Sequence, residues 1–221
     1  MVNDLAIPQT QSLAPKYTDE DVAGMSTGGD YLPRLQLIGS NSGLAKEDKI
    51  AMGRFALITD NDNFKDLDKQ VDVLVCSWRF KAMEIGEDSV ISVFDPTDPE
   101  FKRIRALSDV SDSGCMCGFD FLLWLPTEHC FAILYMASKS AKREVPKLRT
   151  KINEEENKPG PATLTISLVK TKKYSWHVIK VQDCTVVFDL PEIEAVVTNV
   201  QKFQNPPKNE VEEAAAPERA R

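Results

Sequence analysis

Alternation and runs of apolar residues give this chain its clearest pattern. Thr163-Leu164-Thr165-Ile166-Ser167-Leu168-Val169 alternates with period two, as a half-buried strand does. Phe121-Leu122-Leu123-Trp124-Leu125 and His129-Cys130-Phe131-Ala132-Ile133-Leu134-Tyr135-Met136 are apolar runs separated by Pro126-Thr127-Glu128. They predict two strands and a tight turn. Val71 to Met83 is the longest strand candidate. By parity, Leu74, Cys76, Trp78 and Phe80 share one face, and Val73, Val75, Ser77, Arg79 and Lys81 the other. Its first half reads as buried on both faces. A strand of this length bends and serves two parts of a curled sheet. Tyr31–Ile38, Ile50–Ile58, Val90–Phe94 and Cys184–Phe188 add shorter strands, with Gly53 near a bend. Pro33 lacks a ladder donor, which predicts an edge strand for the first of these.

Helical periodicity appears in three places. Pro99 to Leu107 predicts a helix capped by Asp98, with Phe101, Ile104 and Leu107 facing inward. Lys139 to Ile152 predicts a basic helix that starts or kinks at Val145-Pro146. Lys139, Lys142, Arg143, Lys147, Arg149 and Lys151 crowd into it, with Glu144 as the only acid. Asp189-Leu190-Pro191-Glu192 has a helix-start pattern, and Ile193, Val196, Val197, Val200 and Phe203 then form one apolar stripe. That stripe packs on the sheet or on a second subunit, the latter giving a homo-oligomer contact. Residues 1–30 read as a flexible arm, 31–205 as one globular domain with an insertion at about 84–118, and 206–221 as a disordered tail rich in Ala, Glu and Pro.

Composition narrows the function. The 221 residues carry net charge −7, which argues against broad affinity for duplex DNA. No apolar run has the length of a bilayer span, and Met1-Val2-Asn3-Asp4-Leu5 lacks a secretion signal, so the expected location is the cytoplasm, off the membrane. The five cysteines are odd in number and read as reduced thiols. The one-residue spacing of Cys115-Met116-Cys117 is shorter than a zinc pair uses, and no metal or cofactor is expected. His129 and His177 are the only histidines, and no Gly-rich phosphate cradle is present, so no catalytic activity is expected. The acids at Asp60-Asp62 and Asp95-Asp98 read as solvated turns, with a magnesium-dependent nuclease as a remote alternative.

Against this acidic background, cations gather beside aromatic rings. Trp78, Tyr135, Tyr174 and Trp176 have Arg79, Lys81, Lys139, Lys142, Arg143, Lys170, Lys172 and Lys173 around them. Rings stack on bases and cations neutralise phosphates, which is how single strands are held. Aromatics in strands are more often core, and lysines more often solvated surface. Trp124 and Phe131 are assigned to the core on that ground. Tyr174 and Trp176 share a strand face beside three lysines, a poor pattern for a core. Rings and cations from neighbouring strands are expected to meet on one exposed concave surface.

The order of elements from Val71 to Gln182 resembles an OB-type barrel: a long bent strand, further strands, a helix after the third, then two closing strands. With Trp78-Arg79-Phe80-Lys81 and Lys170-Thr171-Lys172-Lys173-Tyr174-Ser175-Trp176, the chain resembles a phage-encoded single-stranded DNA-binding protein. The resemblance implies a mainly β (α+β) fold: an OB-like curled antiparallel sheet or barrel, a basic helix between strands and a C-terminal amphipathic helix. It implies sequence-independent single-stranded DNA binding in phage replication or recombination, in the host cytoplasm, without catalysis. Such proteins recruit replication proteins through an acidic tail. This tail has Glu210, Glu212, Glu213 and Glu218 but finishes in Arg219-Ala220-Arg221, and the insertion is larger than a simple barrel needs. The alternative is a phage structural or assembly protein that binds no nucleic acid.

Overall fold

The computed structural model describes residues 32–40, 42–59, 63–86, 89–110, 113–152, 158–186, 191, 193–205 and 210–213. The fold is mainly β, a large mixed sheet that does not close on itself. Its strands are β1 (Arg34–Leu37), β2 (Phe55–Ile58), β3 (Phe64–Asp66), β4 (Gln70–Ile85), β5 (Ser89–Val93), β6 (Cys115–Leu125), β7 (Cys130–Met136), β8 (Gly160–Lys170), β9 (Ser175–Asp183) and β10 (Glu210–Glu213). The helices are α1 (Gly43–Lys46), α2 (Pro99–Leu107), α3 (Lys139–Lys142), α4 (Val145–Arg149) and α5 (Ile193–Gln204).

The sheet branches at β4. Gln70 to Val75 pair with β8, Ala82 to Ile85 pair with β5, and β6 runs along the other edge from Leu74 to Glu84. The long strand thus serves two parts of one curled sheet, as its length predicts. Simple parity along it fails at one place. Val75 faces Leu123 and Ser77 faces Leu122, so Cys76 is an extra residue in a β-bulge. The bulge exchanges the faces. Val73 and Val75 share the inner face with Trp78, while Leu74 and Cys76 share the outer face with Ser77 and Arg79.

Beyond β6 the order is β7, β1, β2, β3. β1 runs antiparallel to β2 and parallel to β7, so it is an internal strand rather than an edge. Pro33 precedes the ladder and offers only its carbonyl, which accepts from the Ile133 amide at 2.8 Å; its missing N–H is not needed there. β9 pairs with β8 and approaches β1 without a ladder among the described residues. At that approach the imidazole of His177 lies against Gly53, where an added Cβ would stand 2.5 Å from Nε2. Gly53 has φ of 76°, so both its conformation and its lack of a side chain suit the contact.

Apolar clusters hold the layers, one of them Ile38, Ile50, Ala56 and Ile58 beside β1 and β2. Inside the curl, Val73, Val75, Phe121, Leu123, Leu134, Leu164 and Val181 pack with Val145 and Leu148 of α4, which plug one end. On the outer face, Leu74, Cys76, Leu122, Trp124 and Phe131 lie beneath Phe203, Val196 and Val200 of α5. Each such side chain contributes ~1.5–3 kcal/mol on burial. The α5 stripe therefore packs on the sheet of its own chain, with Val197 exposed. Phe101 and Ile104 of α2 pack with Ala82, Val93 and Cys115, and the Asp98 carboxylate accepts from the Glu100 amide at 2.7 Å as the cap. The segment 84–118 is thus continuous with the main sheet through the ends of β4 and β6.

Other differences from expectation are local. The basic helix divides into α3 and α4, because Glu144 leaves the helix and Pro146 starts a new one. Cys184, Thr185 and Val186 lie outside any strand, β9 having ended at Asp183; the rest of that expected strand falls outside the described residues. Residues 210–213, expected to be disordered, form β10, antiparallel to β5. The arm 1–30, the turn at Asp60-Asn61-Asp62 and most of the helix start at Asp189 lie outside the described residues. Among the described residues, no helix is long and apolar enough to cross a membrane.

Candidate nucleic-acid interface

The β8–β9 hairpin carries the predicted rings outward. Its register sets Val169 opposite Trp176 and Lys170 opposite Ser175. The turn is held locally: the Thr171 amide donates to the Tyr174 carbonyl at 2.8 Å, and the Tyr174 amide donates to Thr171 Oγ1 at 3.0 Å. Tyr174 is 73% exposed and Trp176 42% exposed. Lys170, Lys172 and Lys173 are all exposed around them. A large exposed ring is ordinary; here two stand beside three ammonium groups on a short hydrogen-bonded turn, an arrangement with the chemistry to stack on a flat ring and supply the counter-charge.

Trp176 shares its strand face with Val178, and Val178 lines a groove of about 840 Å³. The groove lies on the outer face beyond the end of α5, with β5 and β1 among its walls. Arg34, Arg79, Lys81 and Lys202 line it, and Asp120 is the one acid among the described lining residues. The groove is therefore cationic in a protein of net charge −7.

Arg79, Asp120 and Tyr135 lie side by side on β4, β6 and β7, since Arg79 faces Asp120 and Asp120 faces Tyr135 in the ladders. The Arg79 guanidinium is sandwiched 3.7 Å from the Phe94 ring centroid and 4.3 Å from that of Phe203. It donates to the Phe203 carbonyl at the C-terminal end of α5, where a cation suits the helix dipole, and its Nη2 lies 3.4 Å from Asp120 Oδ2. Arg79 thus anchors α5. Lys81 Nζ lies 4.0 Å from Asp120 Oδ2 and 5.4 Å from the Tyr135 ring centroid. Asp120 is fully buried. Burial pushes its carboxyl up, against the opposing pull of Lys81 and Arg79. Tyr135 is pushed up as well, first by burial and then by the Asp120 carboxylate.

The remaining predicted residues are dispersed. Trp78 lies on the inner face, away from Arg79, against Phe80 and Phe119, with the Arg149 guanidinium 4.0 Å from its ring centroid. The bulge put it there, and its ring is taken. Lys139 and Arg143 are exposed on and just after α3, whose neighbours Ser138 and Ser140 line the groove. Lys142 lies with Arg105 and Cys117 at a separate notch. The rings and cations do not meet on a single surface: Tyr174, Trp176, Lys170, Lys172 and Lys173 form one group, and Arg79, Lys81 and Tyr135 another. Phe94, Asp120, Lys202 and Phe203 belong to the groove and were not expected there. Asp120 alone left a trace in the sequence, a single carboxylate within an otherwise apolar strand.

Glu144 holds the inner side of the helical plug. Its carboxylate accepts from Lys147 at 2.8 Å, Lys180 at 2.9 Å and the Val181 amide at 3.3 Å. Burial pushes the group up, and these donors outweigh burial and bring it down to about 2. Among the described residues, no three His, Cys, Asp or Glu side chains gather as a metal site. Compared with known protein families, curated proteins and solved structures, the chain matches none.

Proposed function

We propose that this protein binds single-stranded DNA without sequence preference, as a non-enzymatic component of phage replication or recombination on an OB-like fold. The observation that carries it is the exposure of Tyr174 and Trp176 among Lys170, Lys172 and Lys173 at the hairpin tip. Rings there stack on bases, and the ammonium groups neutralise the adjoining phosphates. The order of strands supports an OB-like fold. β4, β6 and β7 form a meander, the α3–α4 helices follow, and β8 returns to β4 with β9 beside it. β1 stands where a closed barrel would join β7 to β9. In OB folds the second and third strands and the loop between the fourth and fifth bind oligonucleotides. The corresponding places here are the β6–β7 floor of the groove and the Lys170–Tyr174 turn.

The test is titration of a labelled oligothymidine, with duplex as competitor. Stacking contributes ~1–3 kcal/mol per ring, so Tyr174→Ala with Trp176→Ala is expected to weaken binding by about thirtyfold or more. Unchanged affinity removes the hairpin as the site.

A further inference from the structure

Asp120 has two differently placed oxygens. Oδ2 faces cations, Arg79 Nη2 at 3.4 Å and Lys81 Nζ at 4.0 Å. Oδ1 is buried and accepts no hydrogen bond among the described residues. A buried acceptor without a donor is an unfavourable arrangement that an incoming N–H relieves. Lys81 is the less confined of the two cations. Its ammonium is beyond hydrogen-bonding distance of the carboxylate, and it sits near the Tyr135 and Phe94 rings, 5.4 and 5.7 Å from their centroids. Its unbranched stem lets the ammonium turn toward a phosphate, whereas Arg79 is clamped between two rings.

Resting on the single-strand reading above, we propose that the groove takes one base of the strand, a base that carries an exocyclic amine, and that Asp120 Oδ1 accepts from that amine. The base lies against Tyr135 and Phe94, Lys81 turns from Oδ2 to the backbone phosphate, and the amine donates to Oδ1. Cytosine, adenine and guanine carry such a donor; uracil and thymine present a carbonyl oxygen in its place, which a carboxylate repels. The hairpin at the groove's end holds the adjoining nucleotides by stacking alone. The outcome is a base preference at one position of an otherwise indifferent binder.

Fluorescence anisotropy with labelled oligodeoxycytidine and oligodeoxyuridine of equal length, at one salt concentration, tests this. The two strands match in charge and ring size; cytosine presents its amine beside a bare N3, and uracil presents a carbonyl oxygen there, its N3–H lying between two carbonyl oxygens that a carboxylate repels. The wild-type protein is expected to bind the cytidine strand about tenfold more tightly, the scale of one hydrogen bond to a charged acceptor. Asp120→Asn is expected to bring the two affinities within about twofold. Its thermal transition is recorded alongside; if it does not fold, Tyr135→Leu, which leaves the carboxylate and its cations in place, is expected to narrow the same ratio. Equal binding of both strands by the wild type overturns base recognition by Asp120 and leaves the hairpin proposal standing. Wild-type binding of neither strand overturns both.

Discussion

Glu144 shows how one residue can invert its sequence context. It is the only acid in a run of cations, where it looks like a minor counter-charge. In the fold it is buried and accepts from Lys147, Lys180 and the Val181 amide, joining the helical plug to β9. Glu144→Gln removes the charge that these donors face, and is expected to lower stability by about 2 kcal/mol in urea unfolding. The pH dependence follows from the same contacts. The folded-state pKa is held below the unfolded value, at about 2. Its stabilisation is therefore complete above the ordinary carboxylate range and is lost as pH falls toward 2. Acid unfolding of the wild type should show this loss, and Glu144→Gln should show less of it. No pattern in the sequence announces this role, because Lys180 is thirty-six positions away and only the packing of α3 and the residues after it on β9 brings it near.

At the scale of elements, most strands were legible and their facing was not. Period two and apolar runs located β4, β7, β8 and the second half of β6, whose first residues, Cys115 to Gly118, read as loop; the cap at Asp98 located α2. The bulge at Cys76 was not legible, because both of its neighbours suit a strand and no glycine marks it. One unseen extra residue moved Trp78 inward and left Arg79 beside α5, and so divided the expected binding surface. The short β3 and β10 lack the length for a periodic signal. The α5 stripe is legible as an apolar face through Val196, Val200 and Phe203, whereas Val197 is exposed, and Phe203 is its anchor. That ring is buried, packs on the outer cluster and flanks Arg79, while Gln204 Nε2 donates to Ser77 Oγ at 2.5 Å and to the Trp78 carbonyl at 2.9 Å. Phe203→Ala is expected to destabilise the fold by ~3–5 kcal/mol and to expose α5 to protease before the sheet opens.

The whole molecule combines acidity with two local cationic regions, the hairpin tip and the groove, and this separation has a measurable signature. Affinity for a single strand should fall with salt, and the steepness should follow the local lysines rather than the net charge. Replacing Lys170, Lys172 and Lys173 together by Ala is expected to reduce the slope of log affinity against log salt by about 2, at ~0.7 per phosphate contact. An unchanged slope would place the phosphate contacts elsewhere. The same molecular scale gives β10 its significance. β5 pairs with β4 from Val90 to Val93 on one side and with Glu210 to Glu213 from Ser89 to Ser92 on the other. A chain shortened before Asn209 would present those amides and carbonyls to any strand that came near, most readily the matching border of an identical molecule. Such a truncation should sediment as a concentration-dependent dimer where the full chain does not, and those four residues would then be acting as a guard against self-association.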